Sequence, residues 1–146
     1  MLKIVTFRDS ESPILFKPTR KIEVFNKELE KLVREMRETL IKNDGLGLAA
    51  PQVNKAISLC IVRMGKEAQP LCNPEITRFS PEQERMEEGC LSFPNVFLEV
   101  PRAKSIEVGY QDLKGKPQKL EADGILARTL QHEIDHLNGI AFIEKA

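Results

Sequence analysis

The stretch Gln131-His132-Glu133-Ile134-Asp135-His136, near the carboxyl end of the chain, holds both histidines of the protein. Residues four apart on an α-helix lie one turn above each other, so both imidazoles can point at one ion. Glu133 is rotated by roughly 60 to 100° around the helix axis from the two rings, which places its carboxylate beside such an ion. The spacing therefore predicts a helix that carries two metal ligands and an adjacent base.

Apolar residues extend this helix in both directions. Asp123 is the predicted N-cap and Gly139 the predicted C-cap. A second amphipathic helix is predicted from Asn26 to Lys42, with Asn26 as its N-cap. The apolar positions at helical spacing are Leu126, Leu130, Ile134 and Leu137 in the last helix, and Leu29, Leu32, Val33, Met36 and Leu40 in the first.

Between the helices the sequence favours β-structure. Residues 56–62 form a nearly continuous apolar run, which predicts a buried strand. Short β-type runs between Leu71 and Gln118 are separated by prolines, which predicts antiparallel strands that are frequently broken, with a hairpin turn at residues 112–115. We expect an α+β fold, with antiparallel strands packed around a central C-terminal helix and one N-terminal amphipathic helix, in a single domain over residues 1–146.

Composition limits the partners. The chain of 146 residues has 22 Lys plus Arg and 22 Asp plus Glu, and this zero net charge argues against nucleic acid. It contains no apolar run near the roughly 20 residues of a membrane span, and its beginning lacks a signal-peptide pattern. Three cysteines without a CxxC pair indicate a reducing compartment, so we expect a cytoplasmic protein with at least one free thiol.

The paired histidines require a third ligand, which must be a carboxylate or a cysteine because no third histidine exists. Cys90 is the strongest candidate, since it lies in Glu88-Gly89-Cys90-Leu91-Ser92, where glycine permits a close backbone approach. Three protein ligands would leave one position open, as in catalytic metal sites. The alternative for Cys90 is a buried apolar thiol, which is what we expect for Cys60 and Cys72.

A glycine-rich loop, Gly45-Leu46-Gly47-Leu48-Ala49-Ala50-Pro51-Gln52, connects the first helix to the predicted strand. Phosphate-binding loops run from strand to glycines to helix, so this order excludes one. The loop is either an ordinary connection or a carrier for Gln52, whose amide can donate to a developing oxyanion.

Together, the segments 45–52, 88–92 and 131–136 resemble the three motifs of the peptide deformylase family, in the same order. The resemblance implies a metallohydrolase that removes the formyl group from the N-terminal formyl-methionine of new polypeptides and releases formate. It implies Cys90, His132 and His136 as ligands of Fe²⁺, with Zn²⁺, Ni²⁺ or Co²⁺ able to occupy the site. It also implies that water on the metal attacks the formyl carbon, with Glu133 as general base and acid.

The same resemblance implies oxyanion donors and a peptide-binding cleft. Gln52 and the backbone N–H of Leu91 would stabilise the oxyanion. The peptide would lie extended along Gly45-Leu46 and Gly89, and its methionine side chain would enter a pocket walled by Leu46, Ile125, Thr129 and the His132 ring. Phe97 stands where many bacterial relatives carry a basic residue.

Two further expectations concern Arg102 and the end of the chain. Arg102 matches a recurrent family arginine, and we expect it to pair with a carboxylate near the site, Glu88, and to orient the Cys90 loop. Many bacterial relatives continue into a C-terminal helix thought to dock on the ribosome, whereas this sequence stops at Ala146. We therefore expect weak or absent ribosome binding.

Two other functions compete with a deformylase. A zincin-type endopeptidase shares His-Glu-x-x-His but takes a third ligand downstream, where Glu144 is the sole carboxylate. A structural metal module would need four protein ligands, and this sequence offers three.

Overall fold

The computed structural model describes residues 2–146, which form two helices and seven strands. The helices are α1 (Lys27–Lys42) and α2 (Gly124–Leu137). Three short 3-10 turns accompany them at Ser12–Phe16, Ala50–Val53 and Phe142–Glu144. The strands are β1 (Gly47–Ala49), β2 (Leu59–Met64), β3 (Glu67–Phe79), β4 (Gln83–Cys90), β5 (Phe93–Ala103), β6 (Ser105–Gln111) and β7 (Pro117–Asp123).

The strands make two antiparallel sheets. The larger has the order β1-β2-β3-β6-β7, and the smaller is the β4–β5 hairpin. The turn between β6 and β7 lies at the predicted position, with Gly115 at φ +82° and Asp112 accepting the N–H groups of Lys114 and Lys116. The chain is thus α+β, with antiparallel sheets and a C-terminal helix.

The larger sheet lies between the two helices. Leu48, Leu59 and Ile61 pack with α1, whereas the alternate residues Cys60 and Val62 pack with α2. Successive side chains of a strand point to opposite faces, so β2 is buried on both sides. This burial explains the apolar run that the sequence shows there, and it confirms that Cys60 belongs to the core; Cys72 is also fully buried.

Local sequence fixes the helix ends. The side chain of Asn26 accepts the N–H of Leu29 at 3.0 Å, as an N-cap does. Asp123 occupies the N-cap position of α2 but its side chain makes no capping hydrogen bond. Gly139 has φ +76° directly after the C-cap Asn138, and a Cβ there would lie 2.7 Å from the backbone of Lys17.

The prediction of frequently broken strands is wrong. β3 runs over 13 residues and β5 over 11, although each contains prolines. Pro74 lies where the β3–β6 register shifts, between Cys72 and Glu75, so the ladder tolerates its missing N–H. Strand β5 pairs on one side only, and proline is tolerated in such edge strands.

Within residues 2–146, neither helix has the length and apolar composition that a bilayer span demands.

Candidate metal centre

Helix α2 presents His132 and His136 on one buried face. The centroids of the two rings are 5.1 Å apart, as the four-residue spacing requires. Nδ1 of His132 lies 2.9 Å from Oε1 of Glu88, which leaves Nε2 of that ring for an ion. Nε2 of His136 lies 3.3 Å from the sulfur of Cys90, so it faces the same space.

Cys90 reaches this space from the last position of β4, after an irregularity in the β4–β5 register between Glu88 and Cys90. The sulfur and one nitrogen from each of His132 and His136 all lie within 4.8 Å of one another. Across residues 2–146, this is the one group of three or more His, Cys, Asp or Glu side chains with ligand atoms so close. The three residues that the sequence singles out are thus adjacent in space.

Glu133 is buried against the same space, beneath strand β1. A Cβ on Gly47 would lie 2.7 Å from its Oε2, so only glycine lets the strand approach this closely. Burial raises the pKa of Glu133 to about 7, although the positive charges of His132 and Arg102 oppose the shift. Oε1 of Glu133 and Nδ1 of His136 are the buried side-chain N and O atoms of residues 2–146 without a hydrogen-bond partner.

The pKa values of the two histidines shift in opposite directions. Burial lowers the pKa of His136 well below its ordinary value, which keeps that ring neutral. Burial also acts to lower the pKa of His132, but hydrogen bonds with Cys90 and Glu88 outweigh it and raise that pKa to about 10. A cation that binds His132 therefore displaces a proton.

These donors fit a divalent transition-metal cation. A thiolate and two imidazoles suit iron, zinc, nickel or cobalt better than the oxygen-preferring Mg²⁺ or Ca²⁺. His132 donates its other ring N–H to a carboxylate, the usual arrangement behind a ligating histidine. A zincin-type site would need Glu144 as its third ligand. Glu144 instead accepts the N–H of Ala141 at 2.9 Å and does not belong to the group of Cys90, His132 and His136.

Behind His132, a buried network joins the helix to the hairpin. Arg102 binds both carboxylate oxygens of Glu88, at 2.9 and 3.0 Å, and Asp135 at 2.6 Å. The pairing of Arg102 with Glu88 is the one that the sequence predicts. Burial acts to raise the pKa of Glu88, but hydrogen bonds from His132 and Arg102 outweigh it and lower that pKa to about 2. Glu88 is therefore ionised.

Arg128 is a member of this network that the sequence interpretation missed. It donates to Glu88 and to the backbone oxygens of Val100 and Glu84. The signal was present, because residues 128, 132 and 136 are spaced four apart and share one face of the helix.

Gln52 lies in the short turn that follows β1 and is 1% exposed. Its Oε1 accepts the N–H of Ala49 at 2.9 Å, and its Nε2 donates to Oγ of Ser92 at 3.1 Å. Nε2 also lies 3.5 Å from the sulfur of Cys90. One N–H of the amide is thus held by Ser92 and the other is directed at the space around the sulfur.

A cleft of about 540 Å³ opens onto these groups. Among the apolar side chains on its rim, Leu46, Phe97 and Ile125 are each at least half exposed. The fully buried His136 does not line this cleft, and neither does Arg102. The other predicted metal-binding, catalytic and peptide-contacting residues all line it: Gly45, Leu46, Gln52, Gly89, Cys90, Leu91, Ile125, Thr129, His132 and Glu133.

Comparisons with known proteins show the family of the chain. The family model described as "Polypeptide deformylase" matches residues 1–146. The chain is 42% identical to a peptide deformylase of Brucella suis over 137 residues, which are 90% of this chain and 78% of that protein. It is 41% identical to the peptide deformylase of Thermotoga maritima over 145 residues, 99% of this chain and 87% of that protein.

Solved structures show the same likeness in three dimensions. The crystal structure of the Thermotoga maritima peptide deformylase superposes with a TM-score of 0.94 at 41% identity, covering 99% of this chain and 97% of that one. A Synechococcus elongatus peptide deformylase in complex with actinonin gives 0.93 at 40% identity, covering 99% and 78%. The chain therefore belongs to the polypeptide deformylase family, whose members are metal-dependent hydrolases that remove the N-formyl group from nascent peptides.

Proposed function

We propose that residues 1–146 form one catalytic domain that hydrolyses the formyl group of N-terminal formyl-methionine, with Cys90, His132 and His136 as metal ligands. One observation supports this proposal most strongly. The sulfur of Cys90 and one ring nitrogen each of His132 and His136, which come from distant parts of the chain, lie within 4.8 Å of one another beside a cleft. Formate and a peptide with a free amino terminus are the products.

The proposed resident cation is Fe²⁺, and Zn²⁺, Ni²⁺ or Co²⁺ have the same ligand preferences. Bound there, the cation supplies a Lewis acid that acidifies water and polarises the formyl oxygen. Three protein ligands leave a position open to the cleft, which favours catalysis over a purely structural role.

Glu133 is the proposed general base and acid. Its Oε1 is buried and has no hydrogen-bond partner within residues 2–146, so it is free to accept a proton. It takes that proton from the attacking water and returns it to the nitrogen of the departing peptide. The close approach of Gly47 fixes the carboxylate in place during both transfers.

Gln52 and the backbone N–H of Leu91 are the proposed oxyanion donors. Ser92 and Ala49 hold the amide of Gln52 from both ends, so it needs little reorganisation as charge develops on the formyl oxygen. Leu91 follows the proposed ligand Cys90 directly and lines the same cleft.

The proposed substrate is an extended formyl-methionyl peptide that lies along Gly45-Leu46 and Gly89. Backbone pairing with a strand edge recognises a peptide without reading most of its side chains. The methionine side chain would contact Leu46, Ile125 and Thr129, which line the cleft beside His132.

The test is formate release from a formyl-methionyl tripeptide by protein prepared without oxygen and loaded with Fe²⁺. Anaerobic handling is needed because a thiolate beside Fe²⁺ is prone to oxidation. The same tripeptide with an N-acetyl group is the matched substrate control. Formate release supports the proposal, whereas cleavage of an internal peptide bond, or tight metal binding without any hydrolysis, would overturn it.

A further inference from the structure

The two halves of the proposed metal centre come from parts of the fold that share no backbone ladder. Both imidazoles belong to α2, whereas the sulfur belongs to the β4–β5 hairpin, which forms its own sheet. The position of the sulfur relative to the rings therefore depends on side chains that join the helix to the hairpin.

Arg128 is the side chain of α2 that bonds to both strands of the hairpin. Its guanidinium donates to the carboxylate of Glu88 and, at 2.7 Å, to the backbone oxygen of Glu84, both on β4. It also donates to the backbone oxygen of Val100 on β5, at 2.9 Å. Three acceptors on two strands fix the hairpin against rotation as well as translation along the helix.

The same residue lies in line with the proposed ligands. Arg128, His132 and His136 are spaced four apart, so they occupy successive turns on one face of α2. Glu88 accepts from Arg128 with one oxygen and from Nδ1 of His132 with the other. One carboxylate thus connects the arginine to the ring, two residues before Cys90.

We propose that Arg128 is a positioning residue of the metal centre, which holds the β4–β5 hairpin on α2 so that the sulfur of Cys90 meets the nitrogens of His132 and His136. This inference rests on the proposed function, because it presumes that these three residues bind the cation. Arg102 has a different role, because it lies on the hairpin itself and reaches α2 through a single contact, with the carboxylate of Asp135.

The sign of the effect separates positioning from electrostatics. Arg128 carries a positive charge near a site for a dication, so its removal by charge alone would tighten cation binding. Loss of positioning has the opposite result, because the sulfur is then no longer held at ligand distance. The replacement Arg128→Met keeps a long side chain and leaves Glu88 with Arg102 and His132 as partners.

The experiment titrates metal-free full-length protein with Co²⁺ and follows the thiolate-to-cobalt charge-transfer absorption. We expect Arg128→Met to weaken Co²⁺ binding by about 10- to 100-fold and to reduce the absorption per bound ion at saturation. Arg85→Met is the matched control, because Arg85 lies on the same hairpin, is 60% exposed in its side chain and pairs with Glu99. It should leave both quantities unchanged.

Unchanged or tighter Co²⁺ binding by Arg128→Met, with the absorption of the parent protein, would overturn the inference. If that variant shows no cooperative unfolding transition, Arg128→Lys takes its place; it keeps the charge but not the three-acceptor geometry. If Arg128→Lys matched Arg85→Met in Co²⁺ affinity and in absorption, that result would equally refute the inference. Failure of the parent protein to bind Co²⁺ would instead contradict the proposed metal site itself.

Discussion

Helix α2 and the β4–β5 hairpin each contribute to the proposed metal centre, but different forces hold them in place. The helix sets the separation of His132 and His136 through its own backbone hydrogen bonds. The hairpin places Cys90 through a buried ion network that joins residues up to 44 positions apart. One half of the site is therefore a local property of the sequence, and the other half is a property of the tertiary fold.

This difference predicts where substitutions affect chemistry and where they affect assembly. Replacement of Glu133, which lies on the helix between the two rings, should impair turnover while the cation stays bound. Changes in the network that faces the hairpin should weaken cation binding, because they release the sulfur from its position.

The largest expected effect is that of Glu133→Gln. The amide has nearly the same shape but accepts no proton, so turnover should fall by about 10²- to 10⁴-fold or more while cation affinity is kept. Formate release measures the first and Co²⁺ titration the second. Glu75→Gln, an exposed change on β3, is the control. A Glu133→Gln protein that keeps most of its activity would exclude this residue as the base.

Gln52→Ala should have the next largest effect, because the proposed oxyanion donor is lost. Removal of one such donor typically lowers kcat by about 10²- to 10³-fold. Since the donor acts on charge that develops during the reaction, KM for the formylated tripeptide should change little. A variant in which KM rises and kcat stays constant would assign Gln52 to substrate binding instead.

The sequence predicts the helical half of the site well because its signal is periodic. The spacing of His132, Glu133 and His136 carries its geometry with it. The network of the hairpin leaves no such pattern, since Glu88 is one acidic residue among many and meets Arg128 only when the chain has folded. Prolines similarly predict interruptions in β3 and β5, because sequence alone shows neither where a register shifts, as in β3, nor which strand lies at the edge of a sheet, as β5 does.

Glu88→Gln tests the contribution of the hairpin to the metal centre and should weaken cation binding. The amide keeps one acceptor but loses the charge that offsets Arg102 and Arg128, so the network loosens. We expect cation affinity to fall by about 10- to 100-fold, measured by competition with a chelator. Glu87→Gln, on the neighbouring exposed position, serves as the control. An affinity equal to that of the control would show that the hairpin does not need this carboxylate.

The smallest effect is expected for the exposed pair Arg85 and Glu99, which spans the same two strands at 3.1 Å. Solvent screens this pair, with side chains 60% and 64% exposed, so a double-mutant cycle on unfolding should give a coupling of about 0.2–1 kcal/mol. The corresponding cycle on Arg102 and Glu88, whose side chains are 4% and 5% exposed, should give a larger value, because a charge left buried without its partner is costly. Both pairs join β4 to β5 within the hairpin, so equal couplings would mean that burial adds nothing to the ion pairs that hold these two strands together.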